Sequence, residues 1–331
     1  MKVSELGEFG LIDLLAKMIP APQNKKLILG IGDDAAAWDI ETTLQLVTTD
    51  SFFQDVHFSL STTPWEVLGA KALAVNLSDI AAMGGVPEYA VVSLALPGNT
   101  EVAGVTALYH GLIGLAGQFG VAIIGGDTCR APLVSITMTV LGRTVNQEKK
   151  ILTRSAARPG DMVAVTGHLG AAAAGMEMLT RRLRFDLGAA TQLRDAFLRP
   201  VPRLAEGQWL VGQEVKAAID ISDGLIADLS HICRASRVGA RVEVEHLPIH
   251  PAVKVSFGDR SLELAMGGGE DYELLFTAGA RTMAEVKEAA TCPVTVIGEM
   301  VADKENKITV MDASGRPVPT DKTGWEHFKA A

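Results

Sequence analysis

Six times along this chain a carboxylate stands beside glycine, serine or threonine, in most cases just after an apolar run. The steps are Gly32-Asp33-Asp34, Thr48-Thr49-Asp50, Ser78-Asp79, Gly125-Gly126-Asp127, Asp220-Ile221-Ser222-Asp223-Gly224 and Gly268-Gly269-Glu270-Asp271. One such step is ordinary turn chemistry. Six of them, several following runs too apolar for a surface, constrain the fold, because they point to several carboxylates converging on one place. Carboxylates that converge repel one another unless a cation lies between them. Their oxygens are the ligands hard cations such as Mg²⁺ prefer, and Mg²⁺ commonly bridges one or two carboxylates to substrate phosphates.

The first step shows the logic. Leu27 to Leu29 is a short strand-like run, and Gly30-Ile31-Gly32-Asp33-Asp34-Ala35 reads as a tight turn holding two acids at its mouth. The same residues match a dinucleotide-binding pattern, with Asp50 where a ribose-binding acid would stand. That reading fails on spacing and charge. Too few residues precede the strand-like Leu44-Gln45-Leu46-Val47 to hold the helix of a βαβ unit, and both aspartates would face the pyrophosphate.

At 331 residues the chain has the length of two domains, and 48% hydrophobic with 5% aromatic residues suits an α/β protein. A net charge of −9 argues against nucleic acid as a partner. Cys129, Cys233 and Cys292 are widely spaced and match no zinc or disulfide framework, which leads us to expect a cytoplasmic protein. Val102 to Gly126 contains no Asp, Glu, Lys or Arg over 25 residues, yet seven glycines, Tyr109, His110 and Gln118 interrupt it, so no membrane partner is expected.

Along the chain the spacing predicts helices over Phe9–Ile19, from Thr63-Pro64-Trp65-Glu66 (a capping box) to Met83, over Val102–Phe119, from Gly170 to about Leu183, over Leu225–Ser236 and over Thr282–Ala290. Strands are predicted at Leu44–Val47, Tyr89–Leu96, Val121–Ile124, Leu133–Gly142, Met162–Thr166, Ala217–Ile221, Arg241–Glu245, Tyr272–Thr277, Val294–Gly298 and Ile308–Met311. The polar stretch Arg143 to Arg158 is the expected domain boundary, giving domains 1–145 and 146–331. Within the long first helix, Asn76 and Asp79 share a face, and an acid on so apolar a helix needs a partner. No P-loop and no protein-kinase motif occurs, so an ATP enzyme built this way holds phosphates largely through metal.

The set Gly7-Glu8-Phe9-x-Leu11-Ile12, Gly30-Ile31-Gly32-Asp33-Asp34-Ala35, Thr48-Thr49-Asp50, the run Lys71 to Gly84, Gly125-Gly126-Asp127-Thr128, Leu152-Thr153-Arg154-Ser155, Asp220 to Leu225 and Gly268 to Leu274 resembles the thiamine-monophosphate kinase family. The match runs in order from residue 7 into the C-terminal tail. That family belongs to the aminoimidazole ribonucleotide synthetase superfamily. The resemblance implies an α/β fold of two domains, an N-terminal sheet-and-helix domain that forms a homodimer interface and a C-terminal α/β domain that completes the nucleotide and substrate site. It also implies a reaction in which ATP and thiamine monophosphate give ADP and thiamine diphosphate, with several Mg²⁺ ions and direct in-line transfer.

Carried over residue by residue, the family's metal ligands fall on Asp34, Thr48, Thr49, Asp50, Asp79, Asp127, Asp220 and Asp223. Nucleotide contacts fall on Gly126, Asp127, Arg154 and Ser222, substrate contacts on His57, Glu270 and Trp325, and the catalytic assignment on Asp50, Asp127 and Asp220. Gln54-Asp55 stands where the family commonly has Glu-Gly, Gly267 where it has Ser, and Ala156 where it has Gly. Selenophosphate synthetases of this superfamily need an N-terminal reactive cysteine, and its hydrogenase-maturation dehydratases end in cysteine. Neither feature is present. Another ATP-dependent enzyme of the superfamily and a non-catalytic binder of divalent cations or thiamine phosphate are the alternatives.

Overall fold

Ser135 to Thr144 alternates buried and outward-facing residues without a break, the pattern of a strand with one face on a core. In the computed structural model, which describes residues 26–29, 32–145, 147–319 and 324–325, this strand (β6) lies inside a six-stranded sheet. The sheet order is β1 (Leu27–Leu29), β2 (Ala36–Asp39), β3 (Leu44–Phe53), β6, β4 (Gly85–Leu96) and β5 (Ala122–Arg130). Its pairings are antiparallel except β4 with β5, where the helix α2 (Val102–Phe119) makes the crossover. The expected helix Phe9–Ile19 and the residues Gly30 and Ile31 lie outside the described residues.

One helix organises the molecule. α1 (Trp65–Ala82) is buried on nearly all sides, which explains a composition apolar around its whole circumference. It packs on β3, β6 and β4 beneath, on α2 beside it, and on α5 (Leu204–Gly212) and β8 (Ala217–Asp220) of the second half. Close approach to α2 is set by two glycines. A Cβ on Gly69 would stand 1.9 Å from the Leu108 carbonyl oxygen, and one on Gly111 would stand 1.7 Å from the Glu66 carbonyl oxygen. α2 has the length and apolarity of a membrane span, and here it packs Leu108, Gly111, Leu112 and Ala116 inward.

The second half builds its own six-stranded sheet, in the order β12 (Ile308–Met311), β9 (Gly239–Glu243), β11 (Val294–Val301), β7 (Met162–Thr166), β10 (Leu274–Ala278) and β8. The helices α3 (Ala171–Arg181), α4 (Leu187–Leu198), α5, α6 (Leu225–Ser236), α7 (Pro251–Phe257), α8 (Ser261–Gly267) and α9 (Ala280–Ala289) complete it. The mixed sheet and helices in both halves agree with the expected α/β class.

Three local expectations need correction. The capping box at Thr63 does not form: Pro64 takes the N-cap position, no side chain caps it, and the Thr63 hydroxyl is buried without a hydrogen-bond partner among the described residues. β3 and β5 run on through Asp50 and Asp127, so these acids lie within strands and not in turns after them. Pairing with β6 and β4 supplies ladder hydrogen bonds that outweigh the weak strand preference of Gly125-Gly126-Asp127. The chain also forms β2, α4, α5, α7 and α8, elements too short or too weakly patterned to stand out in the sequence.

Candidate active site

The polar residues of α1 each reach a different neighbouring element. Asn76 Oδ1 accepts the backbone N–H of Asp50 at 3.0 Å, while its Nδ2 donates to the Ala72 carbonyl at 3.0 Å. Asp79 Oδ2 accepts from the Thr48 hydroxyl at 2.6 Å, and the Ser78 hydroxyl donates to Asp220 Oδ2 at 2.6 Å. The helix therefore fixes strands β3 and β8 by their acidic residues. From the β1–β2 turn, Asp33 and Asp34 diverge. The Asp33 carboxylate accepts the Arg154 N–H at 3.1 and 3.3 Å, and Asp34 Oδ1 accepts from Arg154 Nη2 at 2.5 Å. Oxygens of Asp34, Asp79 and Asp220, from three separate elements, lie within 4.8 Å of one another.

Burial and mutual repulsion raise the pKa of four acids here. Burial, then the charge of Asp34, pushes Asp220 up to about 7 against the opposing pull of Ser78 and Arg154. Asp79 rises well above the ordinary aspartate range through burial and then Asp50, Asp220 and Asp34. Asp50 rises through burial and Asp34, and Asp33 rises to about 6 for the same two reasons. Burial works against the charge on Arg154, but Asp34, Asp33 and Asp220 more than offset it, so the guanidinium stays protonated. Asp34 Oδ2 and Arg154 Nε are buried with no hydrogen-bond partner among the described residues. All the donors are oxygens, and two orphaned polar atoms of opposite sign face the group: this set fits a hard cation beside a phosphate oxygen.

The second acidic loop, Ser222-Asp223-Gly224, adjoins this group after β8. Its three backbone N–H groups all donate to Asp228 Oδ2 on α6, at 3.1, 3.1 and 3.0 Å. Oxygens of Asp223 and Asp228 and a nitrogen of His231 form a second close group within 4.8 Å. Burial, then Arg154 and Arg234, drives His231 down to about 3, so it stays neutral. Two further segments are stitched to the loop. Glu270 N–H donates to Ser222 O at 2.8 Å and Tyr272 N–H to Ile221 O at 2.9 Å, while Trp325 N–H donates to Asp223 O at 3.1 Å. The tail thereby returns to the site with the Trp325 ring half exposed. Glu270 Oε2 meets Lys71 Nζ at 3.1 Å. Asp271 turns elsewhere and accepts the N–H groups of Gly170 and Ala172 at the start of α3.

Of the sequence-derived residues, the structure gathers Asp34, Thr48, Asp50, Asp79, Arg154 and Asp220 around one point, with Ser222, Asp223, Glu270 and Trp325 on the adjoining loops. It does not bring the others to that point within this chain. Thr49 faces the opposite side of β3 from Thr48 and Asp50, donating its hydroxyl proton to Met138 O at 2.8 Å and accepting from Thr139 at 3.0 Å. Asp127 pairs with Ser93 on exposed edge strand β5, with β4 and β6 between it and β3. Gly126 is glycine for a packing reason, since a Cβ there would stand 1.9 Å from the Val92 carbonyl oxygen. His57 lies in the turn after β3, where its Nδ1 accepts the Phe53 N–H at 2.9 Å. Sequence reading passed over Ser78, Asn76 and Lys71 as working parts, although polar residues on an apolar helix were the signal. For Asp228, an ordinary acid in a first helical turn, no signal existed.

Comparison with known proteins shows the family. The model for the N-terminal domain of AIR synthase related proteins matches residues 32–144, and the model for their C-terminal domain matches residues 158–311. Thiamine-monophosphate kinase of Escherichia coli (strain K12) is 39% identical over 330 residues, covering 97% of this chain and 98% of that protein. The Bacillus subtilis (strain 168) thiamine-monophosphate kinase is 35% identical over 327 residues, covering 96% and 99%. Among solved structures, AaThiL complexed with AMPPCP and TMP superposes with a TM-score of 0.86 at 33% identity and 99% coverage of each chain. Two domain models laid in order over two sheets, and relatives that align from end to end, place this chain in the thiamine-monophosphate kinase family of AIR synthase related proteins.

Proposed function

We propose that the protein transfers the γ-phosphoryl group of ATP to thiamine monophosphate, giving ADP and thiamine diphosphate. The observation that carries the reading is the triad Asp34, Asp79 and Asp220, whose oxygens lie within 4.8 Å of one another beside Arg154, with Asp34 and Asp220 buried and Asp79 half-buried. Family membership, and the AMPPCP and TMP bound by AaThiL, support ATP and thiamine monophosphate as the reactants. The residues that would hold Mg²⁺ are Asp34, Thr48, Asp50, Asp79, Asp220 and Asp223, joined by Thr49 and Asp127 if a second copy supplies them. Bound there, the cations would neutralise charge on two anionic reactants as it shifts during transfer.

The chain's own residues do the rest. Arg154, held by Asp34 and through its backbone by Asp33, presents a permanent positive charge to phosphate oxygens. Ser222, on the loop after β8, would contact the nucleotide. Glu270 and Trp325, on segments tied to that loop, would meet the cationic ring of thiamine, the indole through its π-face. The acceptor is itself a phosphate whose second proton leaves near pH ~6, so no strong general base is needed and direct in-line transfer suffices.

A homodimer is part of the proposal. In its own chain Asp127 lies three strands from β3, roughly 14 Å at the usual strand spacing, and on the open face of the sheet, whereas Asp50 faces α1. A second copy set against that open face would bring Asp127 and Thr49 into play. Release of ADP from ATP and Mg²⁺ on addition of thiamine monophosphate tests the function directly. A protein that turns over no ATP with this acceptor, or phosphorylates free thiamine as fast, refutes it.

A further inference from the structure

Lys71 is a part of this site that the acidic motifs do not account for. It lies on α1 with 2% of its surface exposed, and its ammonium has two neighbours: Glu270 Oε2 at 3.1 Å and the ring of Phe197, whose centroid is 3.7 Å from Nζ. An ammonium taken out of water is unfavourable unless a carboxylate and an aromatic face replace its hydration, and here both do. Burial pulls the Lys71 pKa down while Glu270 holds it up.

Glu270 is constrained from the backbone as well. Its φ of 68° lies in the left-handed region, as does the 49° of Tyr272. The residue before it, Gly269, passes so close to the Ser222 carbonyl that a Cβ would stand 2.3 Å from the oxygen. Backbone hydrogen bonds from Glu270 to Ser222 and from Tyr272 to Ile221 fasten the turn to the nucleotide-side loop. Strain of this kind persists where the surroundings over-determine it, and it collects at ligand-binding positions. With Lys71 engaging Oε2, the other oxygen, Oε1, has no hydrogen-bond partner among the described residues, on a side chain 24% exposed.

We propose that Lys71 is a positioning residue for substrate recognition: it holds the Glu270 side chain by Oε2 and leaves Oε1 to receive the cationic, amine-bearing organic part of thiamine monophosphate. The inference rests on the kinase reading and deepens it. A carboxylate with one oxygen tied and one open accepts an N–H or faces a cation, and it repels an anion. The site thereby acquires polarity: phosphates are drawn toward Arg154 and the aspartates, and the charged ring toward Glu270. Lys71 belongs to the first half of the chain while Glu270 and Phe197 belong to the second, so the pair also sets where the two halves meet beside the substrate.

Steady-state kinetics on the full chain, with thiamine monophosphate and ATP varied separately, tests this. A wild-type protein that releases no ADP in response to thiamine monophosphate removes the kinase reading itself, whatever Lys71 does. With an active wild type, Lys71→Met is expected to raise KM for thiamine monophosphate about tenfold or more while KM for ATP stays within about twofold. Glu270→Gln should show the same split. The double variant should keep the raised KM of the single ones without adding to it, because both act through one carboxylate. Packing support alone predicts the reverse: with no buried charge left unpaired, the double variant regains the wild-type KM. That recovery, or an unchanged KM in a folded Lys71→Met protein, overturns the proposal. Where Lys71→Met does not fold, Lys71→Gln, which keeps a donor for Glu270 without the charge, is read by the same split.

Discussion

Replacing Asp220 by asparagine should make the metal-free protein more stable and the enzyme nearly dead. Asp220 is buried, accepts a hydrogen bond from Ser78 at 2.6 Å, and is held at about 7 by burial and the charge of Asp34. Its folded value lies above the ordinary aspartate value of 3.8, so the folded protein keeps a proton that the unfolded chain gives up. No penalty exists below the unfolded value, and stability is lost as pH rises through about 7. The gap corresponds to roughly 4 kcal/mol at most, and because Asp79 and Asp50 share protons with it, about 2–4 kcal/mol is the expected range. Asparagine keeps the shape and the acceptor for Ser78 but carries no charge. In EDTA, the urea midpoint of Asp220→Asn should therefore exceed that of wild type at about pH 8, and the difference should shrink toward about pH 5. Mg²⁺ should stabilise wild type and do little for the variant, whose kcat should fall about a hundredfold or more. A variant less stable than wild type in EDTA at the higher pH, or one that keeps the full Mg²⁺ response, would refute the reasoning.

Three further outcomes follow from the same geometry. Trp325→Ala should raise KM for thiamine monophosphate several-fold, with a cation–π contribution of roughly 0.5–2 kcal/mol, and leave KM for ATP unchanged; an unaltered KM in a folded variant would return the ring to a purely structural place at the Asp223 loop. Asp50→Asn and Asp127→Asn should each be inactive alone, but mixing them as a dimer should restore up to about a quarter of wild-type activity if Asp127 acts across the interface, and none if it acts within its own chain. Gly111→Ala places a methyl group 1.7 Å from the Glu66 carbonyl oxygen, so thermal denaturation should show a loss of at least about 2 kcal/mol as α1 and α2 are forced apart.

The sequence by itself determined the class of the fold and the chemical character of the site. Alternating runs such as Ser135–Thr144 and the all-round apolar α1 declare their burial through composition alone, because a strand with one face on a core and a helix with no exposed face leave distinct patterns. Acids such as Asp79 and Asp220, on segments that must be buried, declare a need for counter-charge in the same way. What the sequence could not decide was which face each residue would take and which distant segments would meet. Thr48, Thr49 and Asp50 read as one motif, yet strand alternation sends Thr49 to the opposite side of the sheet. Ser222, Asp223 and Gly224 read as part of an acid-Ser-acid-Gly turn, yet it takes Asp228, an unremarked acid one turn into α6, to gather their three amides. Lys71 and Glu270 stand 199 positions apart, and no local preference links them. Only the packing of α1 between two sheets puts an ammonium, a carboxylate and an aromatic ring at one dry point, where each is tolerable because the others are there.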